Sequence, residues 1–248
     1  ALSKILSSSL ARFDLVASVS DAAQHFALDT MGITSDVIPN AVDLSKYALG
    51  KPLAEYADGK QNVVFLGRLV PRKGASELLK AIQLLSSLGK FDNARCIIVG
   101  SGPEERKLKN YVKKHLLSDK VVFTGQAEES QKANLFASAN VIALPSLGGE
   151  SFGIVVVEAI ASGQAVVIGG DNPGYRFVLA DTVTTLVNPK KTKQLADSIR
   201  QLLDDPGASQ LLHTAQSQRI RQFDITSIGP RVLDMYTQAI SKHGKLSS

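Results

Sequence analysis

Five short apolar runs lie between residues 62 and 170 of this 248-residue chain: VVFLG (63–67), ARCIIVG (94–100), KVVFTG (120–125), NVIALP (140–145) and QAVVIGG (164–170). Each stops at glycine or proline, and none alternates apolar with polar residues. Such runs read as strands buried on both faces, because a strand with one wet side would show a period of two. The residues between and after them predict helices over 75–88, 104–116, 131–138, 153–162 and 193–204. Buried strands that take turns with helices of this length predict an α/β fold, a Rossmann-like parallel sheet with helices on both faces.

Outward from this block the pattern changes. Toward the N-terminus, residues 1–11 have helical character, DLVASVS (14–20) reads as a short strand, and DAAQHFALDTMG (21–32) as a helix stopped by Gly32. Pro39 and Asn40 then break the chain and mark a domain boundary. Toward the C-terminus a last helix over 228–244 carries Val232, Leu233, Tyr236 and Ile240 at three- and four-residue spacing, an apolar stripe that needs a partner surface. The chain opens on Ala1 and has methionine only at 31 and 235, so it is expected to be a piece of a longer protein.

Hydrophobic residues at 44% and charged residues at 21% exclude a disordered or fibrous chain. No stretch approaches the roughly 18 apolar residues that span a bilayer, and the opening residues lack the order of a signal peptide, so a soluble protein is expected. Cys96 is the one cysteine; inside ARCIIVG it reads as a buried, inert thiol and favours a reducing compartment. The 28 Lys and Arg residues outnumber 23 Asp and Glu by five, which suits phosphate-bearing partners. With no Trp, no aromatic RNA-binding motif and no zinc-ligand spacing, nucleic acid is not expected among them.

In open α/β sheets ligands sit beyond the carboxyl ends of the strands, so the residues after each apolar run carry the chemistry. After VVFLG come Arg68 and then Arg72 and Lys73 before Gly74 and a helix, an arrangement able to hold a diphosphate. IIVGSGPEER has Gly100 and Gly102 but Glu105 where a dinucleotide fingerprint needs its third glycine, so the glycines serve a tight turn or a close approach. In LPSLGGESFGIVVVEAIASG (144–163), Glu150 and Glu158 stand eight residues apart. If the segment were helical throughout, they would lie about 12 Å apart on roughly one side. That separation matches the two ends of a nucleotide sugar: one carboxylate for sugar hydroxyls, one for the paired ribose hydroxyls, with amides between them for the diphosphate. Glu158 inside IVVVEAIA has no bland explanation, since a buried carboxylate without a partner is costly.

VIPNAVDLSKY, VVFLGRLVPRKG, IIVGSGPEERKLK, VVFTGQAEESQKANLFASANVIALPS and GGESFGIVVVEAIASG, in this chain order, together resemble the donor half of retaining GT-B glycosyltransferases of family four, including their E-x7-E signature. The similarity is strongest to bacterial phosphatidylinositol α-mannosyltransferases, and Ala41 stands where that family usually has glycine. The resemblance implies the C-terminal half of a GT-B fold. Residues 1–40 would be closing elements of the acceptor-side domain, 41–228 the donor domain, and 229–248 a helix crossing back. It implies a retaining hexosyltransferase using a nucleotide-diphosphate sugar, GDP-mannose first, with a phosphatidylinositol-type lipid or a glycan as acceptor. No cofactor or metal is implied in this domain, and the place of action would be the cytoplasm, with weak contact at the anionic inner face of the membrane.

Residue by residue, the resemblance implies that Gly67, Arg68, Lys73 and Gly102 line the donor site and that Arg68 and Lys73 hold the diphosphate. Gly149, Ser151, Phe152, Gly153 and Ile154 would line the phosphates, Glu150 would contact the sugar and Glu158 the ribose. Ala127, Glu129 and Lys132 would border the base. Arg68, Lys73 and Glu150 are the expected catalytic groups. His25, His115, His213 and His243 are expected to be structural or surface residues. A sugar-nucleotide isomerase of the same architecture and a donor-binding module without turnover are the alternatives, and donor binding without turnover is the expectation for this chain alone.

Overall fold

The computed structural model describes residues 13–246. The expected helix over residues 1–11 lies outside them. Residues 13–43 with 221–246 form one compact unit, and residues 44–220 a second.

In the first unit, β1 (Ala17–Ser18) pairs in parallel with β2 (Asp36–Val37), with α1 (Asp21–Met31) between them. The strand expected over 14–20 is thus only two residues long. Helix α1 starts where the Ser20 hydroxyl accepts from the Ala23 amide at 3.1 Å, and it stops at Gly32, whose φ of 67° lets it close the last turn. Val42 bonds the chain around Phe223–Ile225, and the unit ends in the long helix of Ile225–Leu246.

The second unit holds the six-stranded sheet. After α2 (Leu44–Ala48) come β3 (Gln61–Leu66), α3 (Ala75–Ser87), β4 (Ala94–Val99), α4 (Glu105–Lys114), β5 (Val121–Gly125) and α5 (Glu129–Ala137). Then follow β6 (Val141–Leu144), α6 (Ile154–Ala161), β7 (Val166–Gly170), α7 (Pro173–Val178), β8 (Leu186–Val187), α8 (Thr192–Asp204) and α9 (Pro206–Ile220). The order is β5-β4-β3-β6-β7-β8, every pairing parallel. The chain therefore winds outward from β3 to one edge, then from β6 to the other, and a crevice opens where the direction reverses.

Both faces are covered. Val63, Phe65, Ile98, Val141 and Ile168 are buried with Leu78, Leu79 and Ile82 of α3 and Leu195 and Ile199 of α8, in one cluster. The alternate residues Val64, Ile97, Ile142 and Val167 are equally buried on the opposite face. Cys96 is fully buried, and burial pushes its thiol well above the usual range.

The expected helix α4 buries Leu108 and Val112 and packs Tyr111 against the core, while its lysines are exposed. Three helices were not expected: α2, α7 and α9. Helix α9 escaped because two of its three buried residues, His213 and Gln216, are polar and leave Ile220 without a hydrophobic period, while Leu211 is exposed.

The C-terminal helix, which we label α10 (Ile225–Leu246), begins three residues earlier than the expected start. The expected stripe is also out of phase: Leu233 and Ile240 are exposed, and the half-covered residues are Val232, Met235 and Ala239. These share with Leu15 and Ile38 an apolar groove of about 490 Å³.

Candidate functional site

The carboxyl ends of β3, β4, β5 and β6 bring four loops together. β3 delivers Gly67 and Arg68, then a 3-10 turn at Pro71–Lys73, and Gly74 at the start of α3. β4 delivers Gly100, Ser101 and Gly102. Leu69 N donates to Ser101 O at 2.9 Å and Glu104 N to Leu69 O at 3.1 Å, so the two loops run side by side. Gly100 has φ of +135°, and a Cβ there would stand 2.0 Å from Gly67 O. Its glycine is thus required by the approach of two backbones at neighbouring strand ends, one of the two uses its position suggested.

A cavity of about 480 Å³ opens above these strand ends, lined by Gly67, Arg68, Gly100, Ser101, Gly102, Gln126, Ala127 and Lys132. Arg68 is exposed at its edge, and its guanidinium has no hydrogen-bond or ion-pair partner among the described residues. Glu129 does not line this cavity; it faces Tyr47, Lys46 and Lys132.

Glu150 lies in a turn, not on a helix. Gly149 and Gly153 take φ of +71° and +101°, and α6 begins only at Ile154. The construction that put Glu150 and Glu158 on one side of a continuous helix therefore fails, because left-handed glycines reverse the chain between them. The Glu150 carboxylate is instead gathered in by the basic loop: Lys73 Nζ donates to its Oε1 at 2.8 Å and Arg72 Nη1 at 3.1 Å, with Ser146 Oγ at 2.8 Å. Phe152 is buried against Phe177, and Ser151 is exposed. No side chain caps α6, which follows directly on the loop that carries Glu150.

Glu158, one turn into α6, is buried at 8% exposure among Val156, Val157, Ala159 and Ile160. It has partners. Tyr47 Oη lies 2.8 Å from Glu158 Oε1 and 2.7 Å from Glu129 Oε1, and Lys132 Nζ lies 2.6 Å from Glu129 Oε2 and 3.6 Å from Glu158 Oε2. Burial and these two carboxylates push the Tyr47 phenol far above its ordinary value. Burial alone would lower Lys132, but Glu129 and Glu158 outweigh it and hold its pKa up. Glu129 is held down by Lys132 first and Tyr47 second.

The expected residues thus fall in three places: Lys73 with Glu150 in the turn that leads to Ile154, Glu158 with Lys132 and Glu129, and Arg68 on the cavity wall that Gly67, Gly102, Ala127 and Lys132 share. Tyr47, Arg72 and Ser146 complete the contacts. Arg72 was legible beside Lys73; Tyr47 ends VIPNAVDLSKY but nothing local ties it to a carboxylate 111 positions away.

Three of the four histidines lie elsewhere, and the side chain of His243 falls outside what the structure describes. His25 is exposed, His115 stacks on Tyr111 with ring centroids 4.3 Å apart, and His213 is buried between Ala165 O and Ser217 Oγ.

A doubly wound parallel sheet with polar loops gathered at the carboxyl ends of its strands defines a Rossmann-like α/β protein. The chain belongs to the glycosyl transferases group 1 family, whose profile matches residues 54–222. It is 34% identical over 230 residues to a phosphatidyl-myo-inositol mannosyltransferase of Mycobacterium leprae, covering 92% of this chain and 60% of that one. A protein of the same name from Mycolicibacterium smegmatis is 34% identical over 222 residues, covering 88% of this chain and 55% of that one. The chain thus spans rather more than half the length of these relatives.

Among solved structures, sucrose-phosphate synthase from Thermosynechococcus elongatus superposes with a TM-score of 0.81 at 25% identity, covering 97% of this chain and 62% of that one. HepE of Anabaena, solved in complex with UDP and glucose, gives a TM-score of 0.79 at 22% identity, covering 95% and 66% respectively, and supports the fold. Among the described residues no helix is long and apolar enough to cross a membrane.

Proposed function

We propose that this chain carries the donor-binding half of a retaining glycosyltransferase that moves mannose from GDP-mannose to a phosphatidylinositol-type lipid. The observation that carries the reading is the meeting of Lys73 and Glu150 between the loops that follow β3 and β6, ahead of the uncapped start of α6, with Arg68 on the cavity above the neighbouring strand ends. The names of the mycobacterial relatives support mannose and the lipid acceptor.

In this reading Arg68 and Lys73 hold the diphosphate, Gly67 and Gly102 line it, and Gly149, Ser151, Phe152, Gly153 and Ile154 present backbone to the phosphates. Glu150 takes sugar hydroxyls, Glu158 takes the ribose, and Ala127, Glu129 and Lys132 border the base. As the glycosidic bond breaks, negative charge grows on the leaving phosphate and positive charge on the sugar ring. Fixed cations and helix-start amides act where that charge develops, and losing one such partner typically costs about 3 kcal/mol of transition-state stabilisation. The leaving phosphate accepts the acceptor's proton, so no protein nucleophile is needed. Lys73 must exchange the Glu150 carboxylate for phosphate when donor binds, which frees Glu150 for the sugar.

Calorimetry divides these roles. Glu158→Ala should weaken binding of both GDP and GDP-mannose, whereas Glu150→Ala should leave GDP affinity nearly intact and reduce discrimination among sugars. Equal losses of GDP affinity in both variants would refute the division. In a thermal-shift panel GDP should stabilise the chain more than UDP at equal concentration, and the reverse order would overturn the guanine assignment.

A further inference from the structure

We propose that Tyr47 is the positioning residue of Glu158: its phenol holds the carboxylate in place for the vicinal hydroxyls of a nucleotide's ribose. The proposal rests on the reading of Glu158 as the ribose ligand and extends it to a residue from a different helix.

The carboxylate of Glu158 emerges from an otherwise apolar helix start and is almost fully buried, so its oxygens need hydrogen-bond partners. Two groups meet it, Tyr47 Oη at 2.8 Å and Lys132 Nζ at the longer distance of 3.6 Å. The phenol has one proton and two carboxylates within reach. Glu129 does not depend on that proton, since Lys132 lies 2.6 Å and Lys46 3.7 Å from its oxygens. Among the described residues Glu158 has no such second close donor, so the phenol matters more to it.

A carboxylate oxygen accepts more than one hydrogen bond. With Oε1 met by Tyr47 and Oε2 facing Lys132, each oxygen keeps a lone pair, and a vicinal diol can add without displacing either. Of the four residues Lys132 lines the cavity above the strand ends, and Glu158 meets that wall through Lys132. Tyr47 itself is 5% exposed and does not line that cavity, so it acts through Glu158.

The test compares GDP with 2′-deoxy-GDP by calorimetry on the full chain, with UDP and 2′-deoxy-UDP as a second pair. The wild-type chain should bind the ribonucleotide more tightly. Tyr47→Phe keeps the buried ring; it should weaken the ribonucleotide about tenfold, one hydrogen bond's worth, and the deoxynucleotide less, so the ratio shrinks. Glu158→Ala should flatten the ratio. Glu129→Gln leaves the phenol proton to Glu158 and should keep the ratio at or above the wild-type value.

If Tyr47→Phe weakens both nucleotides equally, or leaves the ratio unchanged while Glu158→Ala flattens it, Tyr47 serves packing alone and the proposal fails. A ratio flattened by Glu129→Gln as much as by Glu158→Ala overturns it independently of how Tyr47→Phe folds. A ratio that survives Glu158→Ala refutes the ribose reading itself and the proposal with it.

Discussion

Gln216→Leu offers a direct test of how the sheet is finished at its β8 edge. In a parallel strand the N–H and C=O of one residue point to the same side. Strand β8 pairs with β7 only at Gly169–Leu186 and Gly170–Val187, so it offers Val167 no ladder partner. The Gln216 side chain, reaching in from α9 at 1% exposure, supplies one: Val167 N donates to its Oε1 at 3.0 Å, and its Nε2 donates to Val167 O at 2.9 Å.

Leucine keeps roughly the volume but can neither accept nor donate. One buried N–H and one buried C=O are then left unpaired, at about 1–3 kcal/mol each, and added apolar burial offsets part of this. We expect a loss of about 3 kcal/mol, equivalent to about 6–12 °C in Tm at this chain size. Guanidinium unfolding followed by far-ultraviolet circular dichroism should show a lower midpoint with an unchanged slope. A loss below about 1 kcal/mol would mean that Val167 finds another partner, and the reasoning would be refuted.

Gly74→Ala should cost about 2 kcal/mol or more, because Gly74 sits at φ of +77° and a Cβ would stand 1.9 Å from Pro145 O. It should also weaken nucleotide-diphosphate binding, since it shifts Lys73 against the Glu150 loop; wild-type stability in urea would refute the strain argument. Burial lowers the pKa of His213 below its ordinary 6.5, so that below that value the unfolded chain takes a proton the folded chain refuses. Stability should therefore fall as pH drops below 6.5, and His213→Asn should flatten that slope. Equal slopes for both proteins, from denaturation at about pH 7.5 and 5.5, would rule His213 out as the cause.

The runs that became β3 to β7 were legible because a strand buried on both faces must be apolar throughout, a demand written locally in the chain. Arg68, Lys73 and Gly100 were legible for a related reason: parallel topology puts every strand's carboxyl end on one edge, so residues that follow different strands must assemble there. What escaped was polar or long-range. Helix α9 buries His213 and Gln216, whose partners exist only once β7 has formed beside it.

The phase of α10 escaped too: Val232 and Tyr236 of the expected stripe do line the groove with Leu15 and Ile38, but Met235 and Ala239 take the places given to Leu233 and Ile240. The E-x7-E spacing pointed to two carboxylates but not to their placement. Left-handed Gly149 and Gly153 break the helix between them, and Lys73, Ser146, Tyr47 and Lys132 fix where each carboxylate lies. By itself, then, the sequence determined the sheet, its edge of loops and the residue types delivered there, because burial and chain direction are properties of local pattern. Which donor meets which carboxylate was decided by tertiary packing alone, because a hydrogen bond between Tyr47 and Glu158 depends on angstrom-scale placement of two helices that no local pattern encodes.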